Sequence, residues 1–372
     1  MNSVERKILA CAAELDPGPA RQQRLRTAMS GDVNVDHLID VAFKEGLAGL
    51  LYKNLMKAGV LESLDHRQSE RLESLYYKTV RFNLKLIHDL KEVLKSVNRK
   101  NIQVVLVQGI ALLGQIYNDI GLRPLTDIDL WVLDRGYPGL VDVLMSQGYQ
   151  RDRLYPNTFR KGSTIFDIST HLLWADRIRT RKLLISKGQE HIYSDTQIIQ
   201  FEGRKARSLN QYDQVLFLSL HVLKHSVSRL IWLVDIKSLV GSWDTSDWEA
   251  LVHRAQEVGQ EKIIVYIWFL LRHLFDFHSP LQGRQLLRNG NISLLEKKIL
   301  SRRMNGEPLT LWAPLILLSS GMGWAHRFAF FWENLFPGPE ILKQVFPGSA
   351  NSKVWQLYLK RVLQLIGMIK MS

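Results

Sequence analysis

The hydrophobic pattern of the N-terminal part of the chain is helical. Apolar residues recur there at intervals of three and four, which is the spacing of amphipathic helices. This spacing predicts a helix over residues 36–57, with Gly46 and Gly49 as weak points, and a long helix over residues 68–97. We therefore expect a helical N-terminal region over residues 1–96.

The middle of the chain changes to short apolar and β-branched runs, which are typical of strands. Strands are predicted at residues 102–107, 126–132, 150–155, 163–170, 197–201 and 205–208. Short helices are predicted at residues 111–117 and 137–147, the second closed by Gly148. The alternation favours a mixed α/β module over residues 97–210.

Helical spacing returns after this module and continues to the end of the chain. Helices are predicted at residues 211–223, 230–239, 247–258, 262–275, 312–324 and 353–369, the helix at 312–324 being apolar enough to be buried. The expected architecture is therefore an α+β fold, in which a mixed sheet is flanked by the N-terminal helices and by a helical C-terminal region over residues 211–372.

Composition limits the class of protein. Apolar residues make up 46% of the 372 residues, which is ample for a buried core. The only cysteine is Cys11, so no internal disulfide is expected and a reducing cytoplasm fits best. The N-terminus does not have the pattern of a signal peptide, and no window has the roughly 18 apolar residues of a membrane span.

The formal net charge of +13 indicates anionic partners, such as a nucleotide, a nucleic acid or a lipid headgroup. The basic residues are scattered along the sequence, so charge alone indicates no specific nucleic-acid site. The last helix combines basic residues with an apolar face and could lie on an anionic membrane, although packing against the preceding helices is the default interpretation. The oligomeric state is left open.

A pair of carboxylates carries the first chemical signal. Asp127 and Asp129 lie two residues apart in a predicted strand, so their side chains share one face of the sheet. Two such carboxylates suit a hard divalent cation, and they would repel each other without one. Asp167 lies in a later apolar strand and could add a third carboxylate, as two-metal phosphoryl transfer requires, or simply face solvent.

These residues belong to a longer pattern. Gln108-Gly109 follows a strand, Tyr117 and Arg123 come next, and Asp-Ile-Asp-Leu runs from Asp127 to Leu130. The pattern resembles the DNA-polymerase-β-like nucleotidyltransferase superfamily, and most closely a mainly bacterial family known as uncharacterised nucleotidyltransferases. The resemblance spans roughly residues 38–347.

The resemblance implies a metal-dependent enzyme that moves a nucleoside monophosphate from an NTP to an acceptor and releases pyrophosphate. It implies that Asp127, Asp129 and Asp167 are catalytic and hold Mg²⁺, with Mn²⁺ as the alternative ion. Gln108, Gly109 and Arg123 would bind the nucleotide, and the alternative for Arg123 is that it only balances the charge of the carboxylates. The acceptor is not indicated by the sequence.

Further residues match the family pattern beyond the sheet. The resemblance implies that they border the substrate pocket, and they are His171, His221, His225 and Asp235. His221 and His225 are four residues apart on a predicted helix, and Val222 between them excludes the metalloprotease motif, which needs glutamate there.

The sequence departs from the superfamily at two positions. Ile110 stands where a serine usually follows the glycine, and Gln108 stands where a basic residue is expected. Two alternatives therefore stay open: a catalytically inactive protein that keeps the fold as a binding or scaffold protein, and a basic nucleic-acid-binding protein.

Overall fold

The structure of the chain is a computed structural model that describes residues 3–278, 291–310, 312–349 and 352–371. Within these ranges, no helix combines the length and the apolar character that crossing a membrane requires.

The N-terminal part is helical, as predicted, but one predicted helix is two. The helices are α1 Ser3–Ala12, α2 Pro19–Met29, α3 Val35–Glu45, α4 Ala48–Lys57 and α5 His66–Arg99. The single helix predicted over residues 36–57 is wrong, because Gly46 ends α3 with a left-handed backbone at φ +77°. A Cβ atom on Gly46 would lie 2.8 Å from the Ile231 side chain, so glycine also permits this close packing.

A seven-stranded mixed sheet follows within the described residues. Its strands are β1 Val105–Val107, β2 Ile128–Trp131, β3 Gln150–Arg151, β4 Thr158–Lys161, β5 Thr164–Ser169, β6 Gln197–Phe201 and β7 Arg204–Ser208, in the order β3-β4-β5-β2-β1-β7-β6. Strand β2 pairs antiparallel with β1 and parallel with β5, so the two central carboxylate-bearing strands run in one direction.

Three short helices connect the strands: α6 Gln108–Leu112, α7 Tyr137–Ser146 and α8 Gln189–Ser194. Helix α6 begins directly after β1 and not at Ala111, as the pattern had predicted. Strand β4 was not predicted, since only its first half, Thr158 and Phe159, is buried. The turn between β6 and β7 is placed as predicted, with left-handed backbones at Glu202 and Gly203.

The C-terminal part is again helical. Its helices are α9 Gln211–Lys224, α10 Ile231–Leu239, α11 Thr245–Val258, α12 Glu261–Phe275, α13 Leu294–Met304, α14 Ala313–Leu318, α15 Trp324–Leu335, α16 Pro339–Val345 and α17 Val354–Met371. The buried helix predicted over residues 312–324 is wrong: α14 stops at Leu318, and Trp324 begins the next helix with 85% of its surface exposed.

All three parts of the chain contribute to one hydrophobic core, to which Leu51, Leu106 and Leu233 belong. Ion pairs with a buried partner also join distant parts of the chain, as between Lys237 of α10 and Glu14 in the loop after α1, whose Nζ and Oε1 atoms lie 2.8 Å apart. This shared packing brings side chains from the sheet and from the C-terminal helices to the same cavity.

Candidate active site

Asp129 and Asp167 are direct neighbours on two parallel strands. The register of β2 and β5 pairs the two residues, and Asp127 lies one residue before β2. The side chains of all three line one cavity of about 460 Å³. The structure thus brings together the three carboxylates that the sequence singled out.

Asp129 is the most buried of the three carboxylates, with 9% of its surface exposed. Its Oδ1 atom accepts a hydrogen bond of 2.6 Å from Nε2 of Gln108. Burial raises the pKa of Asp129 well above its usual range, and the charges of Asp127 and Asp167 raise it further. A buried carboxyl group beside two others requires either a proton or a cation as compensation.

The other two carboxylates have their own partners. Asp167 Oδ1 accepts hydrogen bonds from Oγ1 of Thr158 at 3.1 Å and from Nη2 of Arg177 at 3.3 Å. Asp127 Oδ1 accepts one from Oγ1 of Thr126 at 2.9 Å. Burial raises the pKa of Asp127 as well, and Asp167 adds to this effect.

These partners bear on metal binding. Among the residues that the structure describes, no group of three or more His, Cys, Asp or Glu side chains is arranged to hold a metal ion. The amide of Gln108 donates a hydrogen bond to Oδ1 of Asp129, and the guanidinium of Arg177 donates one to Oδ1 of Asp167. The donor set nevertheless fits a hard divalent cation, because three carboxylates share one cavity and the charge of Asp167 raises the pKa of both Asp127 and Asp129.

Gln108 reaches Asp129 from an uncommon backbone conformation. The residue lies at the junction of β1 and α6 with φ +58°, a left-handed value that side chains other than glycine seldom adopt. Such a conformation costs on the order of 1–3 kcal/mol and persists where the surroundings enforce it, often at functional sites.

Five cationic side chains line the same cavity as the carboxylates, and they are Arg123, Arg177, Arg181, Lys224 and Arg229. The basic residues are scattered along the sequence, but the structure brings these five together. Because these residues come from loops and helix ends that are far apart in the chain, only the tertiary fold collects them.

Lys224 and Arg181 are partly desolvated in this cavity. Burial lowers the pKa of Lys224 to about 7, and Arg181 contributes to the shift. Burial likewise lowers the pKa of Arg181 to about 10, with Arg177 as the next cause. The Nζ atom of Lys224 lies 3.2 Å from the centroid of the Trp174 ring. A mobile anion that entered the cavity would relieve the repulsion between these cations.

Arg123 differs from the other four cations because a fully buried carboxylate holds it. Its Nε atom lies 3.0 Å from both carboxylate oxygens of Asp235, and its Nη2 atom lies 2.8 Å from Oδ2. The hydroxyl of Tyr117 donates to Asp235 Oδ1 at 2.6 Å. Asp235 is fully buried and is not among the residues that line the cavity. It is therefore a positioning residue for Arg123.

Gly109 lines the cavity, and its lack of a side chain makes room for Arg123. A Cβ atom on Gly109 would lie 2.6 Å from Cδ2 of Leu125 and 3.1 Å from Cζ of Arg123. Such contacts are too short to be accepted without movement of the neighbours. The glycine thus serves the packing of the guanidinium, a role that the sequence pattern alone did not indicate.

His221 and His225 lie in the cavity wall with their ring centroids 4.6 Å apart. The ring of Trp232 packs edge-on against His221 at 4.9 Å. Burial lowers the pKa of His221 well below its usual range and that of His225 to about 4, so both rings are neutral near pH 7. The Nδ1 atom of His221 is buried and has no hydrogen-bond partner in the described structure.

His171 is not among the residues that line the cavity, although the sequence had suggested it for the substrate pocket. Its Nδ1 atom accepts a hydrogen bond of 3.2 Å from the backbone amide of Leu173. Burial lowers its pKa. The ring therefore stabilises the turn after β5, and a role for His171 in the substrate pocket stays a prediction.

Sequence reasoning missed several lining residues, of which only Lys224 carries a signal. Lys224 lies three residues after His221 on α9, a spacing that places both side chains on one face of the helix. Arg177 lies in a turn, and Arg181 lies in the 3-10 segment Arg179–Leu184 that follows it. Arg229 lies in a loop and carries no comparable pattern.

The mixed sheet and the cavity with its carboxylates and cations define an α+β protein of the nucleotidyltransferase type. A family model described as "Uncharacterised nucleotidyltransferase" matches residues 31–276, which is more than half of the chain. The chain therefore belongs to this family. The comparison with curated proteins gave no match.

Proposed function

We propose that the chain is a metal-dependent nucleotidyltransferase that moves a nucleoside monophosphate from an NTP to a hydroxyl or phosphate group of an acceptor. The observation that carries this proposal is the single cavity in which Asp127, Asp129 and Asp167 are accompanied by cationic side chains. Carboxylates for a metal and cations for phosphates are the two elements that phosphoryl transfer needs in one place.

Asp127, Asp129 and Asp167 are the residues that would hold Mg²⁺ or Mn²⁺. When bound, the ion neutralises charge on the phosphates and on the attacking oxygen. A metal ion that binds Oδ1 of Asp129 would displace the Gln108 amide from this atom. An ion that binds Oδ1 of Asp167 would likewise release Arg177, which would then become available to a phosphate.

The cations of the cavity would bind the triphosphate. In the reaction, the acceptor oxygen forms a bond to the α-phosphorus, and the bond from this phosphorus to the oxygen that bridges to the β-phosphorus breaks. Pyrophosphate leaves with that oxygen, and Arg181 and Lys224 are placed to receive its charge. The proton of the acceptor would pass to a carboxylate oxygen of Asp167, whose side chain is 27% exposed.

The remaining wall is aromatic and neutral. His221, His225 and Trp232 can contact a planar ring, and the unpartnered Nδ1 atom of His221 can form a hydrogen bond with a ligand. We assign this wall to the nucleoside or the acceptor and the cationic wall to the phosphates.

The test uses NTPs labelled at either the α- or the γ-phosphate, incubated with the protein, Mg²⁺ and a cell extract. The proposal predicts that a product acquires the α-label and never the γ-label, and that Asp129→Asn does not form it. Transfer of the γ-label would indicate a kinase. Absence of any labelled product across all four NTPs with both Mg²⁺ and Mn²⁺ would contradict the proposal.

One observation favours a second function, that of a non-catalytic binding protein. Gln108 occupies the carboxylate of Asp129, and Ile110 offers no hydroxyl to a phosphate. Such a protein would bind an NTP through the cationic wall without needing a metal. Nucleotide affinity that is equal with and without Mg²⁺ distinguishes this function from the transferase.

A further inference from the structure

We infer that helices α15 and α17 form a surface that docks on an anionic lipid membrane. The inference is independent of the proposed nucleotidyl transfer, and both helices lie outside residues 31–276, the part that the family model matches.

Helix α17 exposes an apolar face to solvent. Trp355, Leu359, Val362, Leu363 and Ile366 follow one another at steps of four, three, one and three residues, which places them on one side of the helix. Their exposed fractions are 62%, 52%, 39%, 61% and 48% in that order. Single exposed apolar residues are ordinary, but a whole helical face marks an interaction surface.

A different side of α17 holds the helix on the protein. Leu357 is fully buried, and Leu365 is 8% exposed. Nε of Arg361 donates to the carbonyl oxygen of Leu335 at 2.9 Å, and the hydroxyl of Tyr358 donates to that of Pro337 at 3.0 Å. The exposed apolar face is therefore not the face that anchors the helix.

Helix α15 repeats this arrangement with aromatic residues. Trp324, Phe328 and Trp332 are spaced by four residues and are 85%, 70% and 58% exposed. The Trp332 ring lies 4.9 Å from that of Phe336 and 6.3 Å from that of Phe328, so the aromatic rings form a continuous row. Exposed tryptophan rings are characteristic of the interface between a bilayer and water.

Charge determines the kind of partner. Residues 354–371 contain no Asp or Glu, and the basic residues among them are Lys360, Arg361 and Lys370. The acidic residue of α15, Glu333, faces inward and accepts hydrogen bonds from the backbone amides of Arg179 and Thr180. An apolar face with tryptophan and leucine, on a basic helix that is free of acids, is complementary to an anionic lipid surface.

The same charges disfavour the two other occupants. Docking of a second copy would bring together two acid-free surfaces, each on a chain with a net charge of +13, and like charges repel. A soluble protein partner would need an acidic, apolar groove of matching shape, whereas a membrane needs only the amphipathic face. Helix α16, between the two exposed helices in sequence, contributes Ile341 and Gln344 to the wall of the candidate active site. Membrane docking would thus take place near that site.

The test is co-sedimentation of the full chain with vesicles of phosphatidylglycerol and phosphatidylcholine in equal parts, and with vesicles of phosphatidylcholine alone. We expect sedimentation with the anionic vesicles at low salt and release as salt rises toward ~1 M, where the Debye length falls to about 3 Å. The triple substitution Trp355→Ser/Leu359→Ser/Leu363→Ser should lower the partition coefficient at least about tenfold, since it removes most of the insertable face.

The matched control is Phe43→Ser/Leu84→Ser, which removes apolar side chains that are 60% and 54% exposed on the N-terminal helices. This control should bind vesicles like the wild type. Equal vesicle binding by the triple variant, or no binding of the wild type to anionic vesicles, would overturn the inference. A wild-type dimer in light scattering that the triple substitution converts to a monomer, without vesicle binding, would assign the surface to self-association.

Discussion

The guanidinium of Arg123 is held by the carboxylate of Asp235, with Nη2 and Oδ2 2.8 Å apart and both side chains at most 6% exposed. Arg123 comes from the loop before β2, and Asp235 comes from α10. The pair therefore couples the sheet module to the C-terminal helices at the edge of the candidate active site. Because Asp235 already neutralises Arg123, this cation is less available to a ligand that enters the cavity.

Breaking this pair should destabilise the fold strongly. Asp235→Ala leaves a buried guanidinium without its carboxylate, which typically costs about 3–5 kcal/mol of unfolding free energy. The measurement is urea-induced unfolding followed by circular dichroism. Asp16→Asn, which breaks the exposed pair with Lys57, is the control and should leave the free energy of unfolding unchanged within error. A similarly small effect for both variants would show that the buried pair does not join the two regions.

Lys224 should make nucleotide binding depend on pH. Burial lowers its pKa from 10.5 to about 7, so the amine is mostly neutral above pH 7 in the ligand-free protein. A bound triphosphate favours the charged form, so binding at pH 8 should take up a proton, and affinity should fall as the pH rises above 7. Calorimetry in buffers of different ionisation enthalpy measures this uptake.

The control compares the substitution of Lys224 by methionine with the same substitution at an exposed lysine, Lys57. Lys224→Met should abolish the proton uptake and weaken NTP binding, whereas Lys57→Met should change neither. In the ligand-free protein, the lowered pKa means that the unfolded state binds this proton more tightly, so stability rises with pH between about 7 and 10.5. Proton uptake that persists in Lys224→Met would assign the titration to another group.

Gln108 should compete with the metal for Asp129. Gln108→Gly removes the amide donor and suits the left-handed backbone at φ +58°, so the fold should tolerate it. We expect metal affinity to rise about tenfold or more, since a hydrogen bond to a charged group contributes about 1.5–3 kcal/mol and about 1.4 kcal/mol corresponds to a factor of ten. Gln108→Lys, which places a cation beside Asp129, should weaken metal binding in the absence of nucleotide. Titration with Mn²⁺ measures both, and identical affinities in all three proteins would exclude the competition.

The sequence predicted the part of the site that depends on strand periodicity. Asp127 and Asp129 share a face because side chains alternate along a strand, and Asp167 is adjacent because its apolar strand pairs with theirs. Arg177, Arg181 and Arg229 could not be predicted in the same way. Their convergence depends on how the C-terminal helices pack over the sheet, and no local pattern encodes that packing.

The errors in the predicted elements have a similar origin. The helix over residues 36–57 was predicted to continue through Gly46, because apolar spacing on both sides is in phase. In the structure, the helix ends at Gly46 because this residue adopts a left-handed backbone, and Ile231 packs against it. His171 matched a family position in sequence, yet its ring stabilises a local turn. Resemblance thus placed the carboxylates correctly in one cavity but did not assign the role of each polar neighbour.

The most direct test of the account is the shift in melting temperature that Mg²⁺ produces in the wild type and in Asp129→Asn, with and without NTP. Without metal, Asp129→Asn should melt at a higher temperature than the wild type near pH 7. The pKa of Asp129 is raised in the folded state, so the wild-type protein loses stability as the pH rises through that pKa. Mg²⁺ should raise the melting temperature of the wild type, more so with NTP, and should leave Asp129→Asn nearly unchanged. Equal shifts in both proteins would contradict the assignment of Asp129 to the metal site.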